Sequence, residues 1–285
     1  MSDIQALCAA EHDRIRREFD RDFRRALGVL DRKEGLSVSL ARPTFYLFSF
    51  GGYRVAVDPA FRAARRLAET PALAGELLRD LDLIVITHGH GDHFEESTVR
   101  LLAGNRARWI IPGFLAEKAA SFGLPEEKIT YAEKGRPVAA GPLTLLPFEG
   151  HHFRPDTGKG VPEYGWYITA EGLPSVVIPG DTRDYSALPE VPKADICFAH
   201  VWLGDGLEDA PLHPLARDLA EFTLRFSEKT LLLTHLYESG RKDGRMWTRE
   251  HAEEVAREIA SLSPATRVII PRQGEIIDLT ALMRI

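Results

Sequence analysis

The sequence predicts a mixed α and β fold in which sheets are covered by helices. The first strand-like segments carry apolar and aromatic residues around a Gly51-Gly52 turn, a pattern typical of antiparallel hairpins. Short apolar strands then alternate with helical stretches to the end of the chain, as in sheets with helices packed on them. The sequence contains no internal repeat, low-complexity tract or linker-like stretch. We therefore expect a single domain over 35–285.

The chain begins with an amphipathic segment, 1–34, that is predicted to be helical over 3–33. Its apolar side chains recur at three- and four-residue spacing, which puts them on one face of a helix. They are Ile15, Phe19, Phe23, Leu27 and Leu30. We expect this face to pack on the domain. A homo-oligomer contact and a cap over the active site are the alternatives.

The remaining elements follow from apolar runs and their spacing. The predicted strands are 36–40, 44–50, 53–57, 83–87, 108–111, 143–148, 164–169, 175–178, 195–199, 231–234, 267–270 and 275–278. The later predicted helices are 61–80, 95–103, 114–121, 214–226 and 248–261. The segment 150–163, which carries glycine and proline, is predicted to be a loop.

Composition narrows the class of protein. The formal net charge of −6 over 285 residues gives no basic field, so a nucleic-acid partner is not expected. The two cysteines, Cys8 and Cys197, form no CxxC pair and fit a reducing cytoplasm. The N-terminus is charged too early for a secretory signal, and no apolar run reaches membrane-spanning length. We expect a soluble cytoplasmic protein.

The segment 87–93 reads Thr-His-Gly-His-Gly-Asp-His and directly follows an apolar run that ends at Ile86. Within six positions it carries His88, His90, Asp92 and His93. Imidazole and carboxylate are the usual ligands of zinc and similar divalent ions. The two glycines give the backbone the freedom to turn these side chains toward one point. The segment therefore predicts a metal site.

Other residues of metal-ligand type follow other apolar strands. They are Asp58, the pair His151 and His152, Asp181, His200 and His235. Because the carboxyl ends of adjacent strands meet at one rim of a sheet, we expect these side chains to lie close together. The clustering favours a site for two metal ions. We expect His200 to line the pocket and not to bind metal.

Each of these later residues also has an ordinary explanation when it is taken alone. His235 could be a hydrogen-bonded core histidine. Asp181 in Gly-Asp-Thr, and Asp58 before Pro59, could be turn residues. Such explanations do not account well for the dense motif over 87–93.

The order His-x-His-x-Asp-His, a later His, Asp in Gly-Asp-Thr and a His after an apolar strand resembles the metallo-β-lactamase superfamily. The hairpin over 44–59 is similar to the opening of that fold, and the resemblance runs from about 36 to 278. Within the superfamily the chain is most similar to simple metal-dependent hydrolases, the ascorbate-6-phosphate lactonase-like and N-acyl-phosphatidylethanolamine phospholipase D-like group. The resemblance implies a four-layer αββα sandwich with the site at one edge of the sheets. It says nothing about the N-terminal helix.

The resemblance also implies which residues hold two divalent ions. The first ion would bind His88, His90 and one of His151 and His152, the second would bind Asp92, His93 and His235, and Asp181 would bridge them. We choose His152 because the aromatic Phe153 follows it, and keep His151 as the alternative ligand and as a substrate-binding residue. Asp58 would accept a hydrogen bond from a ligating imidazole. Zinc is the expected metal, with manganese and iron as alternatives.

A hydroxide held by the two ions would cleave an ester, lactone or phosphodiester bond in a small substrate. Asp92 would orient this hydroxide. His213 or His200 would protonate the leaving group, although each could instead be a structural histidine.

Arg154 and Arg183 favour an anionic substrate, although arginines in loops are commonly only solvated. The alternative functions are an RNA-processing nuclease, an iron-dependent redox enzyme on the same fold, and a non-enzymatic binding protein.

Overall fold

The computed structural model describes residues 3–61, 78–188, 190–204, 212–238 and 247–283. The helix predicted over 61–80 lies almost wholly outside these ranges. Two seven-stranded sheets form the centre of the described chain.

The first sheet has the strand order β14-β1-β2-β3-β4-β5-β6. Its strands are β1 Leu36–Leu40, β2 Tyr46–Phe50, β3 Tyr53–Val57, β4 Leu83–Val85, β5 Arg108–Pro112, β6 Ile129–Ala132 and β14 Ile276–Asp278. Pairing is antiparallel from β14 to β3 and parallel from β3 to β6. The carboxyl ends of β3 and β4 therefore share one edge.

The second sheet has the strand order β13-β12-β11-β10-β9-β8-β7. Its strands are β7 Val138–Ala140, β8 Leu143–Glu149, β9 Tyr164–Ala170, β10 Val176–Ile178, β11 Ile196–His200, β12 Thr230–Thr234 and β13 Arg267–Ile269. Pairing is antiparallel from β7 to β10 and parallel from β10 to β13. The carboxyl ends of β8, β10, β11 and β12 thus lie at one edge.

Most of the helices cover the outer faces of the two sheets, whereas the short helix Leu279–Leu282 packs against the apolar cluster between them. They are α1 Asp3–Leu27, α2 Glu96–Leu102, α3 Ala116–Ser121, α4 Leu212–Phe226, α5 Arg249–Leu262 and α6 Leu279–Leu282. Short 3-10 turns lie at Gly28–Asp31, Gly113–Leu115 and Glu126–Lys128. The helix predicted over 114–121 thus begins as a 3-10 turn.

Three separate buried apolar clusters define four layers. One lies between the first sheet and its helices and contains Phe23 and Trp109. The second lies between the sheets, where Phe48 and Trp166 are buried. The third, which contains Phe222, joins the second sheet to α4 and α5. Burial of apolar surface on both faces of both sheets is what stabilises this arrangement. The αββα sandwich is therefore confirmed.

Helix α1 uses its predicted apolar face on the outside of the first sheet. Phe19 and Phe23 are each 2% exposed and stack with ring centroids 5.7 Å apart. The Phe23 ring meets Phe61 edge-on at 5.5 Å. The helix ends at Leu27, earlier than expected, and the 3-10 turn carries the chain to Asp31. A homo-oligomer contact through α1 stays a prediction.

The sequence pattern did not predict two strands, β6 and β7. Both lie at sheet edges, and their residues are mostly half-buried, so they lack a continuous apolar run. Across the described ranges, no helix has both the length and the apolar character that a bilayer crossing demands.

Candidate metal centre

The candidate ligands gather at the shared edge of strand ends. His88 follows β4, His152 follows β8, Asp181 follows β10, and His235 comes directly after β12. Because the carboxyl ends of these strands lie at the same edge, segments that are distant along the chain come together there. Their ligand atoms fall into overlapping groups, and within each group all the ligand atoms lie within 4.8 Å of one another.

The first group brings together one carboxylate and three histidines. It contains His88, His90, His152 and Asp181. His88 Nε2 lies 3.1 Å from His90 Nδ1, and the ligand atoms of the whole group lie within 4.8 Å of one another. Bonds of about 2.1 Å in a tetrahedral zinc site put neighbouring ligand atoms about 3.4 Å apart. The group is therefore compact enough for one ion.

The second group shares Asp181 with the first. It contains His93, Asp181, His200 and His235, and a neighbouring group contains Asp92, His235 and Glu238. Asp181 Oδ2 lies 3.4 Å from His93 Nε2, 3.7 Å from His235 Nε2 and 4.0 Å from His88 Nε2. One carboxylate oxygen thus faces imidazoles of both groups. Sequence reasoning did not include Glu238, which lies only three residues after His235.

Three buried imidazole nitrogens of these groups lack hydrogen bonds to the described residues. They are Nε2 of His93, His152 and His235. A buried polar atom without a partner costs about 1–3 kcal/mol, so three at one place need an explanation. A divalent cation supplies it, because each nitrogen can donate its lone pair to the ion. The residues present therefore fit a metal.

The protonation states of the first group also suit metal binding. Burial lowers the pKa of His88, of His90 and of His152, the last to about 2. These imidazoles are consequently neutral near pH 7, which is the form that binds metal. Burial also opposes protonation of His93 and His235, but the charge of Asp181 and nearby carboxylates outweighs it and raises both pKa values. The carboxylates of the second group thus favour a bound positive charge, which is a proton on these imidazoles when no metal is present.

Asp58 supports the second group from behind. Its Oδ1 accepts from Thr87 N at 2.8 Å, and its Oδ2 accepts from Thr87 Oγ1 at 2.6 Å and from His93 Nδ1 at 2.7 Å. The carboxylate holds the His93 proton on Nδ1 and leaves Nε2 free. Asp58 has φ +48°, a left-handed conformation that aspartate tolerates better than most residues. Asp58 therefore accepts a hydrogen bond from His93, one of the candidate metal ligands.

His200 lies elsewhere than the sequence interpretation placed it. It is 4% exposed, with Nδ1 2.6 Å from Asp181 Oδ1 and Nε2 2.6 Å from the Tyr46 hydroxyl. Both ring nitrogens are therefore used inside the protein, and neither is available to a substrate. The expectation that His200 lines the pocket needs correction: the geometry favours a role in holding Asp181.

Glu163, a residue that sequence reasoning missed, lies just before β9 and contacts two members of the first group. Its Oε2 accepts from Asp181 N at 2.8 Å and lies 3.0 Å from His88 Nδ1. Burial, together with the Asp181 charge, raises the pKa of Glu163 to about 8. Added Cβ atoms at Gly150 and Gly180 would come within 2.5 Å of the Glu163 side chain. Two glycines therefore make room for it.

The structure separates the adjacent histidines His151 and His152. His152 is 0% exposed and joins the first group, whereas the His151 side chain does not. The His151 carbonyl accepts from Arg183 N at 2.7 Å and from Asp184 N at 3.1 Å. This pair of hydrogen bonds ties the segment after β8 to the segment after β10.

Of the other predicted site residues, Asp92, Arg154 and Arg183 have described side chains, whereas His213 does not. Asp92 Oδ2 lies 3.5 Å from His235 Nε2 and 3.8 Å from His93 Nε2, so it borders the second group. Arg154 and Arg183 both lie against Trp202. His213 is the second residue of α4, but its side chain lies outside the described part of the structure.

Comparison with curated proteins identifies relatives over part of the chain. An uncharacterized protein of Mycobacterium tuberculosis is 28% identical over 128 residues, 41% of this chain and 34% of that protein. A UPF0173 metal-dependent hydrolase of Hyperthermus butylicus is 32% identical over 98 residues, 34% of this chain and 41% of that protein. The chain thus spans about a third of the length of the mycobacterial relative that it matches.

The fold has clear counterparts among solved structures. The metallo-β-lactamase fold protein YhfI of Bacillus subtilis superposes with a TM-score of 0.57 at 20% identity, covering 85% of this chain and 98% of that one. The model of the Beta-lactamase superfamily domain matches residues 53–236, more than half of the chain and the segment from β3 to His235. The chain therefore belongs to the β-lactamase superfamily and has the metallo-β-lactamase fold.

Proposed function

We propose that this protein is a hydrolase that depends on two divalent metal ions and cleaves an ester, lactone or phosphodiester bond in a small substrate. The observation that carries the proposal is the position of Asp181 Oδ2, within 4.0 Å of imidazole nitrogens from both ligand groups. A shared carboxylate oxygen is what a bridging ligand requires. The name of the Hyperthermus butylicus relative, a metal-dependent hydrolase, supports the same class of reaction.

Each ion would have its own set of ligands. The first set is His88, His90, His152 and Asp181, and the second is Asp92, His93, His235 and Asp181. Two such ions would supply an activated water near neutral pH and would polarise the bond under attack. Histidine and carboxylate ligands suit zinc first, and also manganese or iron.

The residues of this chain position the reacting groups. Asp92, at the exposed side of the second group, accepts a hydrogen bond from the attacking water and orients it. Asp58 and Glu163 hold the rings of His93 and His88 so that Nε2 of each points into the centre. His213 remains our candidate for the group that protonates the leaving group.

Metal analysis of protein purified without added metal tests the proposal. We expect about two equivalents of zinc, manganese or iron, and turnover of at least one class in a panel of phosphodiesters, lactones and thioesters. His88→Ala and Asp181→Ala should lose metal and turnover with the fold retained, because the core is large and separate from the site. Full turnover in either variant would contradict the proposal.

Two further readouts separate the alternatives. Iron as the resident metal, with no hydrolysis of the panel, would favour the redox alternative. Cleavage of structured or single-stranded RNA would favour the nuclease alternative, which the net charge of −6 disfavours.

A further inference from the structure

Trp202, just beyond the end of β11, is flanked by two guanidinium groups. The Cζ atoms of Arg154 and Arg183 lie 5.6 Å and 5.7 Å from its ring centroid. Trp202 is 9% exposed, and its carbonyl accepts a hydrogen bond from the Tyr185 hydroxyl at 2.6 Å. The indole is therefore a fixed surface that restricts both arginines.

The two arginines differ in how their charge is satisfied. Arg154 makes two hydrogen bonds to Asp156, from Nε at 2.9 Å and from Nη2 at 2.5 Å. Within the described ranges, the Arg183 guanidinium forms no ion pair, and its buried Nε has no hydrogen-bond acceptor. A guanidinium is always charged near neutral pH and presents a fork of donors, so the unpartnered Nε–H of Arg183 can donate to an oxyanion.

Arg183 also lies beside the metal centre. It follows Asp181 by two residues, and its backbone N donates to the His151 carbonyl at 2.7 Å. Its backbone is thus fixed between the segment that carries His152 and the segment that carries Asp181.

We propose that Arg183, held against Trp202, binds an anionic group of the substrate next to the bond that is cleaved. This inference rests on the hydrolase function proposed above and names its substrate class: small esters or lactones that carry a carboxylate or a phosphate-like group. Both groups offer paired oxygens that match the guanidinium fork. Because Trp202 already restricts the side chain, ordering Arg183 on binding costs little further entropy.

Three matched 4-nitrophenyl esters, ending in a methyl, a carboxylate or a phosphonate group, test the inference with the metal-loaded enzyme. We expect kcat/KM for one anionic ester to exceed that for the methyl ester by about tenfold or more. Arg183→Gln should reduce this ratio about tenfold, and Arg183→Lys, which keeps the charge without the fork, should reduce it less. Comparison of kcat/KM for the carboxylate ester with kcat/KM for the phosphonate ester shows which of the two anions the site prefers.

The matched control is Arg106→Gln. Arg106 pairs with Asp82 just before β4, at the end of that strand opposite to His88. This variant should keep the ratio of the wild-type enzyme. Equal loss of all three activities in Arg183→Gln would mean that Arg183 has only a structural role, and would overturn the inference.

Calorimetric titration with inorganic sulfate provides a readout that needs no turnover. At equal metal content, Arg183→Gln should bind sulfate about tenfold more weakly than wild type and Arg106→Gln equally well. Unchanged sulfate affinity in Arg183→Gln and Arg183→Lys would overturn the inference. Loss of sulfate binding in a protein that cleaves none of the esters would support the anion site and count against the hydrolase.

Discussion

His200 Nδ1 donates a hydrogen bond to Asp181 Oδ1 over 2.6 Å. Burial lowers the pKa of His200, so the neutral ring carries one proton, and Nδ1 must hold it because a carboxylate can only accept. Nε2 then accepts from the Tyr46 hydroxyl at 2.6 Å. One oxygen of Asp181 is fixed by the protein, and Oδ2 is left for the centre. The arrangement holds Asp181 in one defined orientation, as the bridging role proposed for it requires.

Removal of the His200 ring should therefore weaken metal binding without unfolding the protein. In His200→Ala we expect metal affinity, measured by competition with a chelator, to fall about 10–100-fold, because Asp181 can rotate away from the centre. Tyr46→Phe removes the hydroxyl that bonds His200 Nε2 and Thr234 Oγ1 but keeps the His200 ring, so it should cause a smaller loss of affinity. Wild-type affinity in His200→Ala would show that Asp181 needs no second anchor.

The fit between Glu163 and Gly180 leads to a stability prediction with a matched control. Gly180 and Gly172 have φ of +86° and +71°, but a Cβ would meet Glu163 at Gly180 and nothing within 4 Å at Gly172. Gly172→Ala should cost about 1 kcal/mol of unfolding free energy from backbone strain alone. Gly180→Ala should cost about 3 kcal/mol and also lower metal content, since the Glu163 carboxyl must move.

Urea unfolding and metal analysis of both variants check this prediction. In the Gly180→Ala background, Glu163→Ala should recover part of the lost stability, because it removes the atoms that clash. Equal destabilisation by Gly172→Ala and Gly180→Ala would mean that Glu163 is not confined by Gly180.

The positions of the candidate ligands can be predicted from the sequence more fully than the residues that hold those ligands in place. His88, Asp181 and His235 each follow a buried apolar strand, and the edge shared by parallel strands brings such positions together whatever the loops do. His152 was separable from His151 only by the resemblance. The structure separates them by burial, because the His152 side chain is 0% exposed and joins the first group, whereas that of His151 joins neither group.

The supporting residues could not be predicted because they act through contacts between distant segments. Glu163 lies just before β9 and packs against Gly150 and Gly180, which are 13 and 17 residues away along the chain. No periodicity links such positions in a single sequence. His200 carried the right residue type, but its partners Tyr46 and Asp181 come from two different sheets, so only the folded structure assigns its role.

Asp58→Asn should weaken the second metal site. The amide keeps the size of the side chain, and asparagine tolerates the left-handed backbone at φ +48°. Three donors meet the Asp58 carboxylate, so an amide nitrogen in place of one oxygen opposes a donor and disturbs the His93 tautomer. We expect metal affinity to fall about 10–100-fold, measured by chelator competition. Unchanged affinity would show that the tautomer of His93 does not depend on Asp58.

Metal binding should release protons near pH 7. The carboxylates around His93 and His235 raise both pKa values, so the metal-free protein holds protons there that a metal must displace. Affinity should therefore increase with pH until the pH exceeds these raised values.

In the metal-free protein the same two groups stabilise the fold below their ordinary pKa of about 6.5, and this contribution is lost as the pH rises through the raised values. Calorimetry in buffers of different ionisation enthalpy should give about one to two protons released per protein. His152→Ala is the control: with its pKa near 2, His152 carries no proton at pH 7, so its loss should weaken binding and leave proton release unchanged. Binding without proton release would contradict the charge state assigned to the second group.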